Sequence, residues 1–271
     1  MRRRIAVGIE YEGSAYCGWQ VQSGAPSVQS ALQAALSRIA DEPIALVCAG
    51  RTDAGVHAHG QVAHFETSAV RRMHAWLLGV NNYLAPDISL RWVCPVPPHF
   101  HARYSALART YRYLIINRTT RSALAAGRAL AVHQPLDLAA MELGARELIG
   151  EHDFSAFRSS ECQARSPVRQ LRALRVQRSG QWIAIDITAN AFLHHMARNI
   201  VGLLLAIGLQ RVPPERARIQ LESRRRSEGE ATAAAVGLYL WRVQYAPQFG
   251  LPELGPDADW AMIEPPVCGG V

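Results

Sequence analysis

The sequence predicts an α+β fold: two ferredoxin-like units, each ordered β-α-β-β-α-β, whose antiparallel sheets abut and form a central cleft. Three observations predict it. Hydrophobic periodicity switches between strand-like alternation and helical spacing in that order twice. The 271 residues suffice for about two domains of ordinary size, and 49% of them are hydrophobic, enough for a packed core. Prolines at 95, 97 and 98 separate the two repeats. The expected division is therefore residues 1–99, residues 100–247 and an irregular, proline-rich tail over 248–271.

In the first repeat, residues 4–11 alternate like a strand. Val28, Leu32, Ala35, Leu36 and Ile39 recur at helical spacing, so residues 28–40 read as a helix. Residues 44–49 and 61–67 read as strands. Met73, Leu77, Val80 and Leu84 form one stripe of a helix over 70–83, and residues 88–96 read as a strand that the prolines end.

The second repeat begins with a strand over 110–117 and a helix over 138–149, stopped by Gly150. A hairpin follows over 168–178 and 182–189, turning at Ser179-Gly180. Residues 192–209 read as a long apolar helix and 213–222 as a shorter one with proline at its start, where it is tolerated. A strand over 237–245 closes the unit. Insertions at about 118–136 and 151–167 are placed to line the cleft, and residues 223–235 read as a mobile, charged loop.

Composition narrows the function classes. The formal net charge is +7, and all 29 basic residues are arginine, with no lysine anywhere. Genomic base composition explains a preference for arginine over lysine; it does not explain the positive balance. A basic chain of this kind is suited to nucleic acid or another polyanion, and arginine grips phosphate bidentately and stacks on bases. No apolar run approaches the ~18 residues of a membrane span. After Met-Arg-Arg-Arg the apolar stretch is cut short at Glu10 and Glu12, too early for a secretory signal, so a cytoplasmic protein is expected. The five cysteines (17, 48, 94, 162 and 268) form no C-x-x-C pair and read as reduced thiols rather than a zinc site.

The chemistry-bearing stretch is Ala49–Phe65. Asp53 lies two residues after Arg51 and two before Gly55, in a loop between two apolar runs. Such an aspartate can simply cap its own turn. An arginine beside it suits it to act as nucleophile or base rather than as an acid; the two can also be a structural ion pair. His57, His59 and His64 raise a metal reading, but no acid or thiol stands at a short spacing to complete a set. In His194-His195, adjacent residues on a helix would point about 100° apart. Tyr111 and Tyr113 share one strand face, with Arg112 on the other; they read either as core aromatics or as a stacking platform for a base. Arg198, in a very apolar helix, needs a carboxylate or a phosphate. There is no phosphate-cradling glycine loop, no G-x-S-x-G, no H-E-x-x-H and no dinucleotide fingerprint, so no nucleotide cofactor or metal is implied.

These residues resemble the tRNA pseudouridine synthase A family. The likeness covers nearly the whole chain: Gly50-Arg-Thr-Asp-Ala-Gly-Val-His57, residues 11–22, 100–106, 109–113, Asp153–Phe157, 190–202 and 237–240. It implies isomerisation of uridine to pseudouridine on the 3′ side of the tRNA anticodon stem-loop, by a homodimer without cofactor. By that resemblance Asp53 is the catalytic nucleophile or base, and Arg51 pairs with it or holds the site open. Tyr111 stacks on the uracil and could accept the C5 proton. Arg198 contacts a phosphate or Asp53, and Leu240 packs under the base. The chain departs from the family pattern at Glu12, where aspartate is usual, at Val236, where glutamate is common, and in the arginine-rich 223–235 loop. Two other readings remain at this point: a non-catalytic RNA-binding protein, and a metal-dependent hydrolase using His57, His59 and His64.

Overall fold

The structure, a computed structural model, describes residues 2–252. The tail beyond 252, with Cys268, lies outside the described residues. Among the described residues, ten strands form one sheet: β1 (Arg3–Tyr11), β2 (Val47–Cys48), β3 (His57–Thr67), β4 (Ile88–Val96), β5 (Ala106–Asn117), β6 (Leu130–Val132), β7 (Gly150–Asp153), β8 (Val168–Ser179), β9 (Trp182–Ala189) and β10 (Leu238–Tyr245). Five α-helices of the described residues accompany them: α1 (Val28–Ala40), α2 (Met73–Asn81), α3 (Leu138–Arg146), α4 (Met196–Gly208) and α5 (Arg216–Ser223). The sheet runs β4-β1-β3-β10-β5-β9-β8-β7, with β2 added to β3 and β6 to β5.

The continuity of this sheet is a finding. The N-terminal half has the order β4-β1-β3, with β2 on β3, and the C-terminal half has β10-β5-β9-β8. Each half thus places its strands as fourth, first, third, second. The halves join edge to edge through a short parallel ladder, His57 opposite Tyr239 and Ala58 opposite Leu240. His57 fastens the seam. Its Nδ1 accepts from the Gly13 amide at 3.0 Å, so Nε2 carries the proton and donates to the Val236 carbonyl at 3.0 Å. Its ring stacks on Tyr239, centroids 4.6 Å apart. Burial pushes its pKa down, which favours this neutral form.

All five helices contribute to one large core on a single sheet face, with Ile5, Val7 and Ile9 of β1 and Tyr111, Tyr113 and Ile115 of β5 beneath them. The alternate residues feed two smaller clusters on the opposite face, around Phe100 and around Leu114 and Trp182. Tyr111 and Tyr113 therefore face the helices. Arg112, on the reverse face, makes a two-pronged ion pair with Asp186, both bonds 2.7 Å, and lies over the Trp241 ring.

Sequence periodicity located α1 to the residue, because Ser27 caps it by accepting from the Ser30 amide at 3.2 Å and Asp41 ends it in a left-handed conformation. Residues 44–49 form only a two-residue ladder. The Ile44 amide bonds the Ser37 hydroxyl and the Leu46 amide bonds Gln33, so α1 side chains take bonds that a longer strand would need. β3 starts at His57 rather than at residue 61, because its first residues pair with β10 from the far end of the chain.

The 223–235 segment, expected as a mobile, charged loop, lies along α4 from residue 226 onward. Arg226 and the Thr232 hydroxyl both donate to Asn199 Oδ1, at 3.1 and 2.6 Å. The Ala233 amide donates to the Arg198 carbonyl at 3.1 Å. Gly202 makes this approach possible, since a Cβ there would sit 2.0 Å from the Ala231 carbonyl oxygen.

Candidate active site

The Asp53 loop is held at almost every residue. The Ala49 amide donates to Val62, and the Ala49 carbonyl accepts from buried Arg109 at 3.0 Å. The Gly50 carbonyl accepts from the Gln61 amide group at 2.7 Å. The Thr52 carbonyl accepts from the Trp19 amide at 3.0 Å, while its hydroxyl meets the buried Tyr11 hydroxyl at 2.8 Å. The Val56 amide closes the turn on the Asp53 carbonyl at 3.1 Å. Gly55, at φ 74°, supplies the left-handed step. Gly18 lets the 13–19 segment lie against the loop, for a Cβ there would meet the Thr52 carbonyl oxygen at 2.5 Å. The Asp53 carboxylate projects from the loop, 25% exposed.

Three cationic or imidazole groups reach that carboxylate from the far half of the chain. Arg198 Nη1 stands 3.3 Å from Oδ2, His195 Nε2 is 3.3 Å from Oδ2, and His194 Nε2 is 3.4 Å from Oδ1. Arg198 is itself fixed, because its Nε donates to the Ala233 carbonyl at 2.8 Å. Burial lowers the pKa of His195, with Asp53 pulling the other way.

The histidine pair was not visible in the sequence. Helical spacing was expected to begin at Phe192, which would splay His194 and His195 apart. The helix begins instead at Met196, and His195 precedes it at φ 63°. Asn190 holds the lead-in: its side-chain oxygen accepts from the Ala191 amide at 2.7 Å and the Gln170 amide at 3.1 Å. The 155–162 segment backs it, with the Ser159 amide donating to the His194 carbonyl at 2.9 Å. So part of the second insertion supports the site, while residues 130–132 of the first become strand β6 and residues 151–153 of the second join strand β7.

Tyr111 is buried beside Asp53. Burial raises its pKa first and the Asp53 charge raises it further, so it is a neutral phenol at ordinary pH. Phe192 packs edge-on against its ring, centroids 4.8 Å apart. Its hydroxyl lies 3.7 Å from where a side chain on Gly50 would begin. Leu240 is fully buried and stands opposite Tyr111 in the β10–β5 ladder, beside it on the same sheet face.

Arg51 does not meet Asp53. It is exposed and makes no hydrogen bond or ion pair with the described residues. The guanidinium that the loop lacks comes from Arg198. The other histidines are scattered: His57 at the seam, His59 stacked on Trp241 at 4.2 Å, and His64 accepting from the Ala102 amide at 3.1 Å. They form no common cluster. Among the described residues, the one group of three histidine, cysteine or carboxylate side chains with ligand atoms close together is Asp53, His194 and His195. Sequence reasoning also passed over Arg109, whose guanidinium joins the Ala49 and Asn190 carbonyls, both at 3.0 Å, and so ties the Asp53 loop to the α4 lead-in. Its buried charge with carbonyl partners was the missed signal.

The arrangement is a rigidly held carboxylate, a paired guanidinium, two imidazoles and a buried phenol at the junction of two similarly ordered half-sheets. The family profile described as tRNA pseudouridine synthase matches residues 8–105 and 145–246. A tRNA pseudouridine synthase A from Nitrosococcus oceani is 52% identical over 251 residues, covering 93% of this chain and 97% of its own. That from Pseudomonas aeruginosa is 52% identical over 256 residues, covering 93% and 90%. That from Methylococcus capsulatus is 51% identical over 248 residues, covering 92% of each. The chain belongs to the tRNA pseudouridine synthase family, isomerases that act on uridine in tRNA.

Proposed function

We propose that the chain converts uridine to pseudouridine in the anticodon stem-loop of tRNA, as a cytoplasmic homodimer of two-unit chains, with Asp53 as nucleophile or base and with side chains alone carrying the chemistry. The observation that carries this is Asp53 itself. The loop around it spends its backbone bonds on holding one partly exposed carboxylate against Arg198.

The reaction breaks the N1–C1′ glycosidic bond, turns the uracil and bonds C5 to C1′. The target base must first leave its stack. In one route the carboxylate attacks C1′ and uracil leaves as its N1 anion. C5 of the turned base then displaces the carboxylate. In the other, the carboxylate takes the C2′ proton while N1 leaves, and returns it as C5 bonds to C1′. Either way C5 must lose its proton and N1 gain one.

Arg198 orients Asp53 in both routes. Tyr111 stacks beside the base, with Leu240 at its side. Because it starts as a neutral phenol, it can take the C5 proton only by passing its own onward. Arg51, exposed beside the reactive residue, is suited to a phosphate or to keeping the extruded nucleotide out of the stack. The recurrence of one strand order in both halves supports two ferredoxin-like units, residues 1–99 and 100–247.

Mapping pseudouridine in tRNA from cells with and without this protein tests the proposal. Loss confined to the 3′ side of the anticodon stem-loop is expected. An unchanged map would overturn it.

A further inference from the structure

We propose that Asp53, His194 and His195 form a three-ligand site for a divalent transition-metal ion, and that the bound ion silences the enzyme by occupying the carboxylate the reaction needs. The inhibitory half of this rests on the reading of Asp53 given above; the binding half does not.

Geometry carries the site. The two Nε2 atoms stand 3.4 and 3.3 Å from the two carboxylate oxygens, and one ligand atom from each residue lies within 4.8 Å of the others. A tetrahedral zinc ion with bonds of about 2.0–2.1 Å places its ligand atoms roughly 3.3 Å apart. Both histidine–carboxylate distances already match that spacing, and the two imidazole nitrogens, within 4.8 Å of each other, need only a small side-chain adjustment to meet it. All three are partly exposed, so an ion can reach them from solvent.

Backbone conformation makes the convergence possible. Consecutive residues diverge by about 100° on a helix and alternate faces on a strand. The left-handed step at His195 brings both imidazoles to one side, with ring centroids 4.1 Å apart. A histidine at positive φ is uncommon and is held there by its surroundings. Here the α4 start and the Ser159 bond to His194 fix it.

The donor set selects the ion. Two imidazoles and one carboxylate suit zinc, copper, nickel or iron(II), and not magnesium, which takes oxygen ligands. The magnesium that tRNA carries would therefore leave the site alone. Arg198, 3.3 Å from Oδ2, opposes a second cation there and keeps binding reversible. The result is an inhibitory site that competes with the nucleoside for Asp53.

Cobalt(II) and zinc titrations of the full chain, without RNA, test binding directly. One cobalt per chain with strong tetrahedral-type visible absorption is expected. His194→Gln, His195→Ala and Asp53→Asn should each weaken it at least tenfold. Zinc should then inhibit pseudouridine formation in competition with tRNA, in the presence of millimolar magnesium, and a chelator should restore it. Circular dichroism on each variant identifies any that misfolds, and the remaining variants decide the result. Cobalt binding that is absent, or equal in wild type and the folded variants, would overturn the site. Stoichiometric binding without inhibition would overturn the inhibitory role. If Asp53→Asn keeps its isomerase activity, the reading of Asp53 fails, whatever the metal does.

Discussion

Arg198 Nη1 lies 3.3 Å from Asp53 Oδ2, although 145 positions separate the two residues. The contact crosses from one half of the chain to the other, and it exists because β10 and β3 join the two half-sheets. Replacing Arg198 with Met removes it and also frees the Ala233 carbonyl. The turnover number should fall about 10- to 100-fold, with a smaller change in KM for tRNA, since the lost contact acts on Asp53. Arg198→Lys should recover little, because one ammonium cannot make both the Ala233 and Asp53 contacts. Single-turnover rates with saturating enzyme check this; equal losses in kcat and affinity would argue for a phosphate role.

Gly202 positions Arg198 indirectly. An alanine Cβ there would meet the Ala231 carbonyl at 2.0 Å, so the 231–233 stretch must move off α4. Gly202→Ala should destabilise the protein by about 1–3 kcal/mol, as overpacking does. Urea unfolding measures it.

How much of this was legible in the sequence follows from where each interaction comes from. Local signals sufficed for α1, with Ser27 and Asp41 at its ends, and for the β8–β9 hairpin at Ser179-Gly180. Motif likeness singled out Asp53 and Tyr111. What the sequence hid is non-local. The Arg109 link between Ala49 and Asn190 spans distant segments, and the merger of two half-sheets depends on two residue pairs. The choice of Arg198 over Arg51 as the partner of Asp53 depends on the seam. The histidine pair was hidden for a different reason: one positive φ at His195 replaces helix geometry where periodicity argues for a helix.

Acid should destabilise the protein in two steps. His64 is buried and its pKa is depressed from 6.5 to about 4, so the unfolded state binds more protons between those values and stability falls as pH drops from about 6.5 to 4. Glu42 is held near 2 by hydrogen bonds from Thr67 and Ser68, so its contribution, present above its ordinary 4.5, is lost as pH falls from there to about 2. Denaturant midpoints should decline steadily as pH is lowered from about 6.5 to 3. His64→Gln should flatten the upper part of that decline, and Glu42→Gln the lower part.

Affinity for tRNA should fall steeply with salt. Each phosphate that an arginine neutralises releases counterion, so a footprint of several arginines gives a log–log slope of roughly −3 or steeper. Filter binding or anisotropy with labelled tRNA, from low to physiological salt, measures it. A flat profile would contradict an arginine–phosphate interface.

The most direct test of the account is Asp53→Asn, a change that keeps the shape of the loop and removes the carboxylate's charge. Pseudouridine formed in purified tRNA should drop by about 10⁴-fold or more, with tRNA affinity largely retained. Activity within a few-fold of wild type in a folded Asp53→Asn variant would contradict the central claim that this carboxylate does the chemistry.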